Sequence, residues 1–306
     1  MPATPALPAI PPNRSDAALA ASLDGGFTSR HAEVNGTRLH YVDGGSGEPL
    51  VLLGGWPQTW WQWHRVMPAL ARRHRVIAVD LRGMGGSAKP ADGYDKKTMA
   101  ADVHALLGHL GIGSAHLAGH DIGAMVAYAH AANHPEATRR IALLDVPHPD
   151  AGWAEMPLIP RPGGGHFLWW FAFNQVEGLP EQLLAGRFRL LLDRLIDELA
   201  ADPDGSFPPL SREVYARAYD TPDAIRAGNA WYRAFAQDIA DFAGYAPVPH
   251  PLLALGGDRS NHDSLAAVIP SHGTDTRVVR VDDCGHYLPE EQPEAVTEEL
   301  VRFFGR

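Results

Sequence analysis

A mostly parallel, doubly wound α/β sheet carrying an inserted helical cap is the fold this sequence predicts. Three patterns point to it: an alternating strand pair near the start, six short apolar runs interleaved with helical segments, and one long stretch where the interleaving stops. The alternating pair is Ser29 to Val34 and Arg38 to Val42, joined by Asn35-Gly36, two residues that tolerate the positive φ of a tight hairpin turn. The apolar runs are Leu50 to Leu53, Val76 to Leu81, Ala115 to Ala118, Ile141 to Leu144, Leu252 to Leu255 and Val278 to Val281. Runs this short, apolar on both faces, suit parallel strands covered by helices on each side. Val103, Leu106, Leu107 and Leu110 fall at i, i+3, i+4 and i+7, one stripe of an amphipathic helix. Strand and helix in such alternation form βαβ units.

The third pattern runs from Pro147 to Pro249, where helical segments such as Glu181 to Leu199 and Glu213 to Tyr219 succeed one another with no strand-like run between them. Pro147, Pro149, Pro157, Pro160 and Pro162 mark where this cap begins, and Pro247, Pro249 and Pro251 where it ends, as rigid non-helical connectors would. The expected organisation is a core of residues 26–146 and 249–306, a cap of residues 147–248, and a flexible Pro- and Ala-rich tail over residues 1–25.

Apolar residues make up 45% of the chain and charged ones 20%, enough to bury a core. Twenty-six Lys and Arg against 36 Asp and Glu give a net charge of -10, with no basic run to track a phosphate backbone, so nucleic acid is excluded as a partner. No segment approaches the roughly 20 apolar residues that cross a bilayer, and the start carries no signal-like apolar run, so the expectation is a cytoplasmic protein without membrane contact, monomeric or homodimeric. The single cysteine, Cys284, has no partner for an internal disulfide. No His/Cys/Asp cluster shows metal-ligand spacing, and no Lys-Ser/Thr follows the glycines at 83, 85 and 86 to make a phosphate cradle, so no cofactor or metal is expected.

Chemistry concentrates at Gly119-His120-Asp121-Ile122-Gly123, between the run ending at Ala118 and a helical run, Ala124 to Asn133. Glycines flanking a nucleophile allow a sharp strand-to-helix turn that exposes its side chain at the strand's carboxyl end. An acid and a histidine follow in the order nucleophile, acid, histidine. The histidine is His286, in the loop after Val278 to Val281. The acid has two candidates at strand ends: Asp145, taken first, and Asp258. A carboxylate displaces a leaving group from saturated carbon and forms an alkyl ester, whereas the serine of an esterase attacks carbonyls.

These residues resemble the α/β-hydrolase superfamily, in particular its epoxide hydrolase and haloalkane dehalogenase branch. Gly54-Gly55-Trp56-Pro57, Gln58-Thr59-Trp60-Trp61, Asp80-Leu81-Arg82-Gly83, the Asp-bearing elbow, and Gly285-His286 before Leu288-Pro289-Glu290 all carry the likeness. Gly54 departs from it, since the branch usually has histidine there. The resemblance implies an oxyanion hole from the backbone N–H groups of Trp56 and Ile122, and a small apolar substrate with water. It also makes Leu168-Trp169-Trp170-Phe171 and Trp231-Tyr232-Arg233 the cap segments that address the leaving atom. Tyr232 is then the leaving-group acid, with Trp169, Trp170 and Pro57 against the substrate; separately, Tyr215 and Tyr219 are candidates for a second donor, a spacing with Val214 and Ala218 that equally suits packing within the cap. An opening epoxide needs a proton that a phenol supplies, whereas a halide needs only hydrogen bonds, so an epoxide hydrolase is expected. The rivals are a dehalogenase using the same Asp121 and a catalytically silent small-ligand-binding protein. Fluoroacetate-type dehalogenases place arginines where this chain has Ile122 and Met125.

Overall fold

The computed structural model describes residues 15–156 and 168–305. Eight strands form one sheet in the order β1-β2-β4-β3-β5-β6-β7-β8: β1 Thr28–Val34, β2 Thr37–Gly45, β3 Glu48–Leu53, β4 His74–Asp80, β5 Ala115–His120, β6 Thr138–Leu144, β7 Val248–Gly257 and β8 Gly273–Val281. The β1–β2 and β2–β4 pairs are antiparallel and every other pair is parallel. Asn35 and Gly36 make the β1–β2 turn with φ of 46° and 71°, both positive as a two-residue hairpin requires. The order reverses about β3, whose neighbours are β4 and β5, and the carboxyl ends beside such a reversal are where an open α/β sheet forms its crevice.

Core helices α1 Asp16–Ala21, α2 Met67–Leu70, α3 Lys96–His109 and α4 Ile122–Asn133 precede the cap. The cap supplies α5 Trp169–Gln175, α6 Leu179–Leu184, α7 Phe188–Leu199, α8 Pro203–Ser206, α9 Pro209–Ala218, α10 Pro222–Arg233 and α11 Phe235–Phe242; α12 His262–His272, α13 Leu288–Glu291 and α14 Pro293–Phe304 complete the core. All six residues of β5 are buried, as a strand covered on both faces demands. Among the described residues no helix is long and apolar enough to cross a membrane.

Two expectations change. The tail placed at residues 1–25 is too long: Ser15 caps α1, which buries Leu19 and Ala20, and Asp16 accepts a hydrogen bond of 2.8 Å from the Trp60 indole. The helical pattern Glu181 to Leu199 is two helices, because Gly186 takes a φ of 74° and the Phe188 N–H is capped by Asp220 at 3.1 Å. Pro157, Pro160 and Pro162 lie outside the described residues, as do the prolines of the first twelve positions.

The cap is fastened to the core by buried polar groups. Lys96, at the start of α3 and fully buried, donates from Nζ to the Trp231 carbonyl and to Asp238 Oδ2, each at 2.7 Å. The Trp231 indole donates in turn to the Arg82 carbonyl at 3.0 Å, and Arg82 is clamped by both oxygens of Asp102 at 2.6 Å. α10 therefore has a fixed position over the sheet.

Candidate active site

β5 ends at His120 and α4 begins at Ile122, so Asp121 turns the chain from strand to helix within one residue. It does so at φ 52° and ψ -122°, outside the basins L-residues ordinarily occupy. Only glycine fits on either side. A Cβ on Gly119 would stand 2.1 Å from the Gly123 oxygen, and one on Gly123 would stand 2.2 Å from the Leu53 oxygen. The strained turn presents the carboxylate at the carboxyl edge of the sheet, where Trp56 N–H donates to its Oδ2 at 2.9 Å and Ile122 N–H makes a second backbone hydrogen bond.

The Trp56 donor is itself aimed. Gly55 N–H donates to the buried Gln62 carboxamide oxygen at 3.0 Å, fixing the loop one residue before Trp56. A Cβ on Gly54 would come within 3.4 Å of that same oxygen, so Gln62 occupies the space beside the position where the sequence departs from its branch.

His286 follows β8 and faces Asp121 with Nε2 4.0 Å from Oδ1, too long for a direct hydrogen bond. Its Nδ1 lies 2.7 Å from Asp145 Oδ2. Asp145 Oδ2 also accepts from the Ser260 hydroxyl at 2.7 Å and the Asn261 carboxamide at 3.1 Å, while Oδ1 accepts from the backbone N–H groups of Gly257 and Asn261 at 3.2 and 3.3 Å. Of the two acid candidates, the structure brings Asp145 to the histidine; Asp258 instead accepts the Cys284 N–H at 2.9 Å, away from it. Ser260, Asn261 and His120 went unread in the sequence. His120, buried beneath the site, donates from Nε2 to the His286 carbonyl at 2.8 Å. Ser260 and Asn261 carry no local motif; His120 is the unspecified residue inside the elbow.

Electrostatics differ among the three groups. Burial pushes the Asp121 carboxyl up, and the charge of His286 with the two backbone hydrogen bonds only partly offsets it. Burial also opposes ionisation of Asp145, but the hydrogen bond and charge of His286 and the Ser260 hydroxyl outweigh it and hold this carboxyl below its usual range. For His286, burial favours the neutral ring, yet Asp145 and then Asp121 raise its pKa above the ordinary imidazole value. His120 is driven down to about 3 by burial and by its neighbour His286, so it stays neutral.

A cavity of about 570 Å³ opens in front of Asp121 and His286, beneath the cap. Trp56, Pro57, Trp170, Phe171 and Tyr232 form much of its wall. Burial, then the charge of Asp121, raises the Tyr232 phenol well above its ordinary value, partly offset by a hydrogen bond from the Trp170 indole. Trp169 departs from expectation. Its indole donates to Glu198 at 3.2 Å and it does not line the cavity, because neighbouring residues on a helix point about 100° apart. Neither expected second donor reaches the cavity: the Tyr219 hydroxyl donates to the Gln58 carbonyl at 2.8 Å, and that of Tyr215 donates to the Glu290 carboxyl.

Among the described residues, the side chains whose His, Cys, Asp or Glu ligand atoms converge in a group of three are His104, His134 and Glu136, none of them on the cavity wall. Spacing along the sequence did not reveal this group, because His104 belongs to a different helix from His134.

The α/β hydrolase fold family matches residues 48–293 of the chain. A soluble epoxide hydrolase from Corynebacterium sp. (strain C12) is 34% identical over 286 residues, covering 91% of this chain and 97% of that protein. The crystal structure of Cfl2 from Burkholderia cenocepacia aligns with a TM-score of 0.84 at 38% identity, over 92% of this chain and 96% of that one. A fluoroacetate dehalogenase from Burkholderia sp. is 31% identical over 250 residues, 78% of this chain and 81% of that protein. Sequence, sheet order and elbow agree: this chain belongs to the α/β-hydrolase family and is a hydrolase.

Proposed function

We propose that the chain opens epoxides to vicinal diols through a covalent ester on Asp121. Asp121 Oδ1 attacks one ring carbon, the carbon–oxygen bond breaks, and Tyr232, hydrogen-bonded by Trp170, gives its proton to the departing oxygen. An alkoxide is more basic than a phenolate, so this transfer is favourable even for a phenol held protonated by burial. The 4.0 Å between His286 Nε2 and Asp121 Oδ1 leaves the imidazole lone pair free for a water. His286, oriented by Asp145, takes a proton from that water as it adds to the ester carbonyl carbon. The oxygen that becomes anionic is Oδ2, already hydrogen-bonded by the Trp56 N–H, with the Ile122 N–H a second donor to the same carboxyl group. Its collapse expels the alkoxide, which takes the proton from His286 to complete the diol, and the proton left on the Asp121 carboxyl returns to the more basic Tyr232 phenolate, restoring both groups.

The two steps are coupled through charge. The Asp121 carboxylate is one of the influences that raise His286. Turning that carboxylate into a neutral ester removes the influence and lowers the imidazole's pKa, although Asp145 still raises it, which favours the free base at the step that requires one.

One observation carries the reading: a carboxylate backed by two N–H donors and a protonated phenol line the same apolar cavity. The soluble epoxide hydrolase relative supports it. Haloalkane dehalogenation is the second reading, favoured by the Trp170 indole beside Tyr232, two hydrogen-bond donors able to hold a halide, and by the fluoroacetate dehalogenase relative. Against a haloacid, Ile122 and Met125 are buried apolar side chains with nothing to hold a carboxylate. Styrene oxide is expected to give diol, and 1-bromobutane little bromide; bromide release without diol would reverse the order. The His286→Gln protein incubated with styrene oxide should gain one substrate mass on the Asp121 peptide. No adduct and no turnover in the parent protein would leave a ligand-binding role as the better account.

A further inference from the structure

Away from the cavity, α3 and α4 pack side by side, and four histidines gather near the carboxyl end of α4. His104 comes from α3, His130 from the last turn of α4, His134 from its C-cap and His250 from β7. The rings of His104 and His134 stack with centroids 4.1 Å apart and planes 7° apart, and the His130 ring lies 5.2 Å from that of His134. Glu136 follows two residues later, and one ligand atom from each of His104, His134 and Glu136 lies within 4.8 Å of the others.

The hydrogen bonding is incomplete in a way that suits a cation. His104 Nδ1, His130 Nε2 and His250 Nε2 are buried and make no hydrogen bond. For His130 the tautomer follows from its partner. The Thr138 hydroxyl donates its one hydrogen to the His134 carbonyl at 3.1 Å, so at 2.9 Å from His130 Nδ1 it acts as acceptor. His130 therefore carries its proton on Nδ1 and leaves Nε2 as a bare lone pair.

We propose that His104, His134 and Glu136 form a binding site for a divalent transition-metal ion, zinc in preference to magnesium or calcium, that ties α3 to the carboxyl end of α4. Two nitrogens and one carboxylate oxygen suit zinc, with water at the fourth tetrahedral position; magnesium and calcium select oxygen ligands. Parallel stacked rings point their lone pairs side by side, so binding requires each imidazole to turn about its Cβ–Cγ bond, a torsion with a broad minimum. His104 and His134 are partly exposed and Glu136 is exposed, so the turn is made on the solvent side.

The test is calorimetric titration of the chelator-treated, full-length protein with zinc chloride. One equivalent should bind with a Kd of about 1–10 μM, and magnesium chloride should give no heat of binding. Cobalt chloride should give the visible absorption of a tetrahedral N/O site. Affinity should fall at least ~100-fold in His104→Ala and in His134→Ala, which remove a ligand outright and so lose at least what an outer-shell partner costs, and about 10-fold in Glu136→Gln, which keeps a neutral oxygen in place of the carboxylate. Saturating zinc should raise the Tm of the parent protein by about 3 °C and leave that of His134→Ala unmoved. Glu136 is exposed, so its variant keeps the test sound if a histidine variant misfolds. Binding weaker than about 1 mM, or affinity unchanged in Glu136→Gln and both alanine variants, would overturn the proposal.

Discussion

The sheet edge that carries Asp121 and the cap helix that carries Tyr232 face one cavity, yet they are held by different forces. Asp121 is placed by backbone: a positive φ, two glycines with no room for Cβ, and N–H groups on its carboxylate. Tyr232 is placed by side chains, through Lys96 on the Trp231 carbonyl, the Trp231 indole on Arg82, and Gln175 donating to the Tyr232 carbonyl at 3.1 Å. A backbone device leaves its mark in a few adjacent residues and tolerates no substitution. A side-chain device draws its members from distant positions, and its cost on mutation is the cost of stranding a buried polar group.

Breaking the first device should have the largest effect. Asp121→Asn keeps the shape and removes the nucleophile, so styrene oxide turnover should fall by roughly 10⁴-fold or more, read by diol formation; a loss under tenfold would mean another group attacks. Lys96→Met attacks the second device. It strands the buried Asp238 carboxylate, so urea unfolding should show a loss of about 3–5 kcal/mol, whereas Lys96→Met with Asp238→Leu should recover most of it. Equal losses in the two proteins would argue that packing, and not the charge pair, anchors the cap.

Tyr232→Phe sharpens the contrast further. Removing the proton source should lower kcat/KM by about 10²–10³-fold with an unchanged melting temperature, because the hydroxyl serves chemistry and the ring serves packing. The smallest expected effect is the pH dependence. As the proposed nucleophile Asp121 must be ionised, and its raised pKa means attack is lost as pH falls through a value above the usual carboxylate range. On the proposed mechanism His286 must be neutral for the second step, so that step is lost as pH falls through the imidazole's value in the ester form, where Asp145 still raises it and Asp121 no longer does. Both losses lie on the acid side, each about tenfold per pH unit. Tyr232 titrates well above the ordinary phenol, so no loss from it is expected in mildly alkaline solution. A rate that rose on acidification would contradict both assignments.

The same division explains what could be read from the sequence. Gly119-x-Asp121-x-Gly123 was legible because steric demand on the backbone writes itself into adjacent residues, and the hairpin at Asn35-Gly36 was legible for the same reason. Asp145 and Asp258 both follow strands, so spacing alone could not separate them. The choice rests on Ser260, Asn261 and Gly257 converging on one carboxylate across the β6–β7 edge. Trp169 and Trp170 look alike in sequence, and only the rotation of α5 turns one to the cavity and the other to Glu198. The proline bias of the first residues hid α1, whose cap at Ser15 and buried Leu19 were the available signals. Lys96, fully buried, gave no signal at all, since a lysine at a helix start ordinarily faces water.

Where the product's new oxygen comes from tests the central claim most directly. In a single turnover of styrene oxide with excess enzyme in heavy-oxygen water, ester formation at Asp121 predicts an unlabelled diol and one heavy oxygen in the Asp121 carboxyl, found by peptide mass. Heavy oxygen in the first diol released, with an unlabelled Asp121 peptide, would show water attacking the epoxide directly and would contradict the account.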